Sequence, residues 1–133
     1  MKGSCLCGTV RYEVDQLDGP IGHCSCRTCR KAHAAPFTTT ARVQRKHLHW
    51  LAGEDHLVAF ESSPGKKRYF CPKCGSHLIA AWDHEDEVIL RVATLDESPH
   101  AEPVAHIWRS HEVDWLKFEG GIKSFPEWPP GRK

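Results

Sequence analysis

A chain of 133 residues is long enough for one domain with a modest core. Its 18 basic and 17 acidic side chains balance, which argues against a polyanion-binding surface and so against a nucleic-acid role. No apolar run is long enough to cross a bilayer, and Met1-Lys2-Gly3-Ser4-Cys5 lacks the apolar stretch of a signal peptide. A cytoplasmic location with reduced thiols, and no membrane partner, is therefore expected.

Residues 9–14 alternate: Val10, Tyr12 and Val14 face a core, while Thr9, Arg11 and Glu13 face outward. That predicts a strand. Gly19-Pro20 breaks it, and a loop leads to a group of cysteines. Residues 27–34 read as a short helix ended by Pro36, and the Thr-rich residues 37–43 as a strand. Residues 47–51 and 57–61 predict short strands around a turn at Gly53, and Ser62-Ser63-Pro64-Gly65 a further turn. Residues 66–70 lead into Cys71-Pro72-Lys73-Cys74-Gly75 and residues 77–82 lead out, a strand, knuckle and strand as in zinc ribbons. Residues 87–94 form the clearest strand, with Val88, Leu90 and Val92 on one face. Residues 106–118 carry Ile107, Trp108, Trp115, Leu116 and Phe118, read as a strand and a short turn of helix packed on the sheet. The fold class is mainly β, in short strands. Residues 1–125 form one domain and residues 126–133, with three prolines, an irregular tail.

The seven cysteines fall into three groups: Cys5 and Cys7; Cys24, Cys26 and Cys29; Cys71 and Cys74. Thiols one or two residues apart can point at one centre, and tetrahedral zinc takes four ligands. Seven is odd, and C-x-C neighbours bridge each other poorly, so metal is favoured over disulfides. The outer pairs make one closed four-sulfur site, which ties residue 5 to residue 74. Gly8 and Gly75 each follow a cysteine where the backbone needs positive φ. The middle triplet is a three-sulfur site whose fourth position is open to substrate or filled by a histidine; His23 precedes Cys24, and His33 lies one helical turn after Cys29. Arg27, Arg30 and Lys31 favour thiolate and attract an anion. The five tryptophans, Trp50, Trp82, Trp108, Trp115 and Trp128, read as core or rim residues.

Three stretches resemble the glutathione-dependent formaldehyde-activating enzyme (GFA) family, with its CENP-V/GFA domain. They are Gly3-Ser4-Cys5-Leu6-Cys7-Gly8-Thr9-Val10-Arg11-Tyr12, His23-Cys24-Ser25-Cys26-Arg27-Thr28-Cys29-Arg30-Lys31, and Phe70-Cys71-Pro72-Lys73-Cys74-Gly75-Ser76-His77-Leu78. His106-Ile107-Trp108 with Trp115 is similar to a late family segment, so the resemblance runs from Gly3 to about Trp115. It implies an Mss4-like, mainly β fold of short antiparallel strands and two zinc ions per chain. It implies a structural zinc on Cys5, Cys7, Cys71 and Cys74, and a catalytic zinc on Cys24, Cys26 and Cys29. The activity implied is that of a carbon–sulfur lyase, S-(hydroxymethyl)glutathione synthase, joining glutathione or a similar small thiol to formaldehyde or a related small aldehyde. Arg27, Arg30, Lys31 and His33 are then the candidate substrate contacts, with Arg68 a further clamp, and His23, His33 or His106 the candidate proton carriers. One departure is Ala34-Ala35, where many members have Gly; its side chain narrows the approach to the second metal. The competing readings are a non-catalytic zinc module for a protein partner and a labile zinc or thiol carrier.

Overall fold

Ten short strands and one helix make two sheets in a computed structural model that describes residues 1–116 and 121–131. The strands are β1 (Lys2–Ser4), β2 (Arg11–Val14), β3 (Gly22–Cys24), β4 (Thr38–Gln44), β5 (Leu48–Ala52), β6 (Val58–Ser63), β7 (Lys66–Phe70), β8 (His77–Trp82), β9 (Glu87–Arg91) and β10 (Ala105–Ile107). The helix, α1, spans Arg27–His33. The smaller sheet has the order β1-β2-β5 and the larger β10-β3-β4-β9-β8-β7-β6. Every pair is antiparallel except β10 with β3. No helix among the described residues is long and apolar enough to cross a membrane.

The alternation in β2 becomes burial. Val10, Tyr12 and Val14 are fully buried and pack with Val43, Leu78, Ile79, Ala81, Val88 and Leu90 between the sheets. Gly3 on β1 lies against the Tyr12 ring, and a Cβ there would sit 2.2 Å from Tyr12 Cζ. Only glycine admits that ring and the hydrogen bond between Tyr12 Oη and Thr94 Oγ1, 2.7 Å. An isolated bridge from Gly3 to Leu95 ties the smaller sheet to the far side of β9.

The strands flanking Gly53 both exist, but they do not form a hairpin. β5 pairs with β2 in the smaller sheet, and β6 pairs with β7 at the edge of the larger one. Gly53, at φ +77°, nests against the Thr9 backbone, and a 3-10 turn at Glu54–His56 carries the chain away. The strand expected over 87–94 ends at Arg91; Val92–Thr94 is a 3-10 turn that places Val92 in a small separate cluster with Ile21 and Ala41. The expected strand near His106 is β10, followed by a 3-10 turn at Arg109–His111. Its apolar residues do not pack as expected. Ile107, Trp108 and Trp115 are all more than half exposed; Ile107 ends the edge strand β10, and Trp108 follows it in the left-handed region at φ 59°. Phe118 lies outside the described residues. No helix or strand is present among the described residues after His111.

Asp18, in the loop after β2, anchors that loop to β4. Its carboxylate accepts from the Gln44 amide at 2.7 Å, from His47 Nδ1 at 2.9 Å and from Gln16 Nε2 at 2.8 Å. Those bonds, the Gln44 amide first, hold its pKa down to about 2. The folded value lies below the ordinary aspartate value of about 3.9, so Asp18 stabilises the fold above about pH 4 and the contribution is lost as pH falls toward 2. Urea midpoints followed from neutral pH down to about pH 2 should fall more steeply for wild type than for Asp18→Asn. Equal slopes would contradict this role.

Candidate metal centre

Cys5, Cys7, Cys71 and Cys74 converge, with all four sulfurs within 4.8 Å of one another. Cys5 and Cys7 lie in the turn between β1 and β2, and Cys71 and Cys74 in the knuckle between β7 and β8. Gly8 and Gly75 both adopt φ 78°, which tightens each knuckle: the Gly8 amide donates to Cys5 O at 3.0 Å and the Gly75 amide to Cys71 O at 2.7 Å. The Val10 amide donates to Cys5 Sγ at 3.3 Å. Hydrogen bonds to the hydroxyls of Thr9 and Ser76 lower the pKa values of Cys7 and Cys74, the latter to about 5.

This geometry fits a tetrahedral metal. A Zn–S bond of about 2.3 Å places ligand sulfurs about 3.8 Å apart. The Cys5–Cys7 and Cys7–Cys71 separations are 3.6 and 3.8 Å. Four thiolates leave no position for a substrate, so this cluster can staple the fold but not do chemistry.

Cys24, Cys26 and Cys29 form a second cluster, again with sulfurs within 4.8 Å of one another. Each comes from a different local setting. Cys24 ends β3, Cys26 is the N-cap of α1, and Cys29 is buried in its first turn. The Cys29 amide donates to Cys26 Sγ at 3.3 Å, so the helix cap itself orients a ligand. No histidine joins this cluster among the described residues. The donor set is therefore three soft thiolates, which suits zinc with one position to spare.

Beneath the triplet the larger sheet presents two buried guanidiniums. Val88 and Leu90 of β9 face the main core, so Ile89 and Arg91 face the other way. Arg68, Ala80 and Ile89 stand in one cross-strand row on that same side. Arg68 Nη1 and Nη2 each lie 3.9 Å from Cys29 Sγ, and its Nε donates to Ser62 Oγ at 3.0 Å. Burial first, and Arg68 second, push the Arg91 pKa down to about 10, which leaves it cationic at neutral pH. The sequence singled out Arg68 but not Arg91, which lies inside the strand expected over residues 87–94, on the face opposite Val88, Leu90 and Val92.

Of the other candidates, Arg27 and Lys31 line a cavity of about 600 Å³ between α1 and strands β6 and β7, with Phe60, Phe70, Arg68 and His77. Arg30 and Ala34 line a different hollow with Trp115, so the Ala34 side chain lies outside the cavity beside Arg68. Ala34 caps α1 in the left-handed conformation, at φ 49°. His33 does not line the larger cavity. It is half-buried against His77, ring centroids 4.6 Å apart, with a buried Nε2 that has no partner. Burial, helped by Arg91, His77 and Arg68, holds it neutral with a pKa of about 3. His23 and His106 lie together in another place, around Phe37, where Ser25 Oγ bonds His106 Nε2 and His23 Nδ1 bonds Thr39 Oγ1. His77, which reads in the sequence as part of a strand, is the imidazole on the wall of the cavity beside Arg68.

The sequence profile of the glutathione-dependent formaldehyde-activating enzyme family matches residues 1–111. A Halomonas elongata protein named for that enzyme is 27% identical over 133 aligned residues, spanning 90% of this chain and 81% of its own length. A protein of Schizosaccharomyces pombe described as an uncharacterized lyase is 26% identical over 81 residues, covering 61% of this chain and 57% of its own. A crystal structure of a Rhodobacter sphaeroides protein has the same fold, with a TM-score of 0.65, 26% identity, and coverage of 80% of this chain and 99% of that one.

Proposed function

This chain belongs to the glutathione-dependent formaldehyde-activating enzyme family, and we propose that it is a zinc-dependent carbon–sulfur lyase. It handles adducts of glutathione, or another small thiol, with formaldehyde or a related aldehyde. The observation that carries this reading is a cluster of three thiols, with no histidine in it, whose Cys29 touches an arginine on the wall of a substrate-sized cavity.

Cys5, Cys7, Cys71 and Cys74 would hold a structural zinc, and Cys24, Cys26 and Cys29 a second one. Zinc at the triplet supplies Lewis acidity and lowers the pKa of a coordinated thiol. The chain's own residues do the rest. Arg68, beside Cys29, keeps the incoming sulfur in a positive field. Arg27 and Lys31 stand on the cavity wall where the carboxylates of glutathione can reach them. The sulfur forms its bond to the carbonyl carbon as the C=O π bond breaks, and the oxygen takes up the proton that the thiol gave up. His77 Nδ1, buried and without a partner, can hold that proton in between. The reverse sequence cleaves the adduct.

The direct test is the exchange rate between formaldehyde and its glutathione hemithioacetal, read by NMR with carbon-13 formaldehyde. Metal-loaded protein at micromolar concentration should raise the exchange rate above that in buffer. A rate equal to buffer, with both metals bound, would overturn the proposal.

A further inference from the structure

Arg68 is 3% exposed and Arg91 4% exposed, yet neither forms an ion pair with a carboxylate among the described residues. Arg91 Nε and Nη2 have no hydrogen-bond partner at all. A guanidinium does not shed its proton in a protein, and burying an unpaired charge is strongly unfavourable. Their compensating charge must therefore be close by. The groups near both that can carry negative charge are the sulfurs of Cys24, Cys26 and Cys29, which become thiolates when they bind a metal.

The charges can be counted. Three thiolates with a divalent metal leave one net negative charge, against two positive guanidiniums. A neutral fourth ligand keeps that imbalance, whereas a fourth thiolate removes it. His33 does not change the count, since burial keeps it neutral, and burial lowers the pKa of His77 as well. Lys66, half-buried with its amine 4.3 Å over the Trp82 ring, adds positive potential on the same side.

We propose that Arg68 and Arg91 are positioning residues that make the three-cysteine site selective for an anionic fourth ligand, a thiolate or small anion, over neutral donors such as imidazole. This rests on the function proposed above and deepens it. It also accounts for the absence of histidine from the cluster although ten histidines are present in the chain.

Cobalt-loaded protein reports the fourth ligand directly, because each added thiolate adds a charge-transfer band. Glutathione, azide and imidazole are the probes. Wild type should bind glutathione and azide at least about tenfold more tightly than imidazole. In Arg91→Gln and Arg68→Gln, the Kd values of the two anions should rise by about tenfold, with that of imidazole unchanged within about twofold. Arg91→Lys and Arg68→Lys should recover most of the loss, since they restore the charge. Equal weakening of all three probes, or no weakening, would overturn the inference while leaving the lyase reading intact. If a glutamine variant does not fold, the wild-type preference decides, and imidazole binding as tightly as azide overturns the inference. Wild type giving no new thiolate band with glutathione would overturn the proposed function, and this inference with it.

Discussion

Cys71→Ser should lose the cooperative unfolding transition. Cys71 is fully buried, and its sulfur is 3.8 Å from that of Cys7, on the far side of the domain in sequence. Metal on the four-sulfur cluster would hold the turn between β1 and β2 against the knuckle between β7 and β8. A structural zinc site contributes on the order of 10 kcal/mol in small modules, which matches the whole stability of a typical domain, about 5–15 kcal/mol. Serine cannot replace a thiolate as a soft ligand, so one substitution removes most of that contribution. Chelation of wild type should give the same result. Thermal melts followed by circular dichroism, with metal content measured on the same samples, check this. A variant that melts within about 4 °C of wild type, with its metal still bound, would show that the cluster does not hold the fold together.

Cys26→Ser should separate stability from activity. Cys26 is the N-cap of α1, and its sulfur accepts the Cys29 amide. Serine is among the best N-cap residues, so the helix keeps its cap and the substitution should cost the fold far less than Cys71→Ser does. What serine removes is one of three metal ligands. The variant should bind one metal where wild type binds two, and formaldehyde–glutathione exchange should fall to the rate in buffer. Full activity with one metal per chain would show that the chemistry lies elsewhere.

The three cysteine groups were legible in the sequence because thiols one to three residues apart are brought together by local backbone, whereas the meeting of Cys5 and Cys7 with Cys71 and Cys74 is a long-range contact. The β2 alternation was legible for the same reason: Val10, Tyr12 and Val14 follow the two-residue period of a strand, and all three are fully buried. What the sequence hid was long-range partnership. Residues 47–51 and 57–61 read as short strands around a turn at Gly53, but their partners β2 and β7 lie in different sheets, which nothing local reveals. β10 joins β3 in parallel across some eighty residues, so the meeting of His106 with Ser25 could not be read from spacing. Arg91 is the clearest case. An arginine at the end of a strand normally faces solvent, and nothing local marks it as buried. The thiolates that can compensate it come from residues 24–29. The exposed Trp108 and Trp115 mislead in the opposite sense, since apolar character alone predicts packing, and both lie past the end of β10.

The central claim is that the three-cysteine cluster holds a metal with one position open to a thiol. X-ray absorption at the zinc edge counts that position directly. Protein loaded with two zinc ions per chain should show an average of about 3.5 sulfur ligands per zinc, rising to about 4 when glutathione is added. An average of about 4 before glutathione, or one that stays at about 3.5 in its presence, would contradict it.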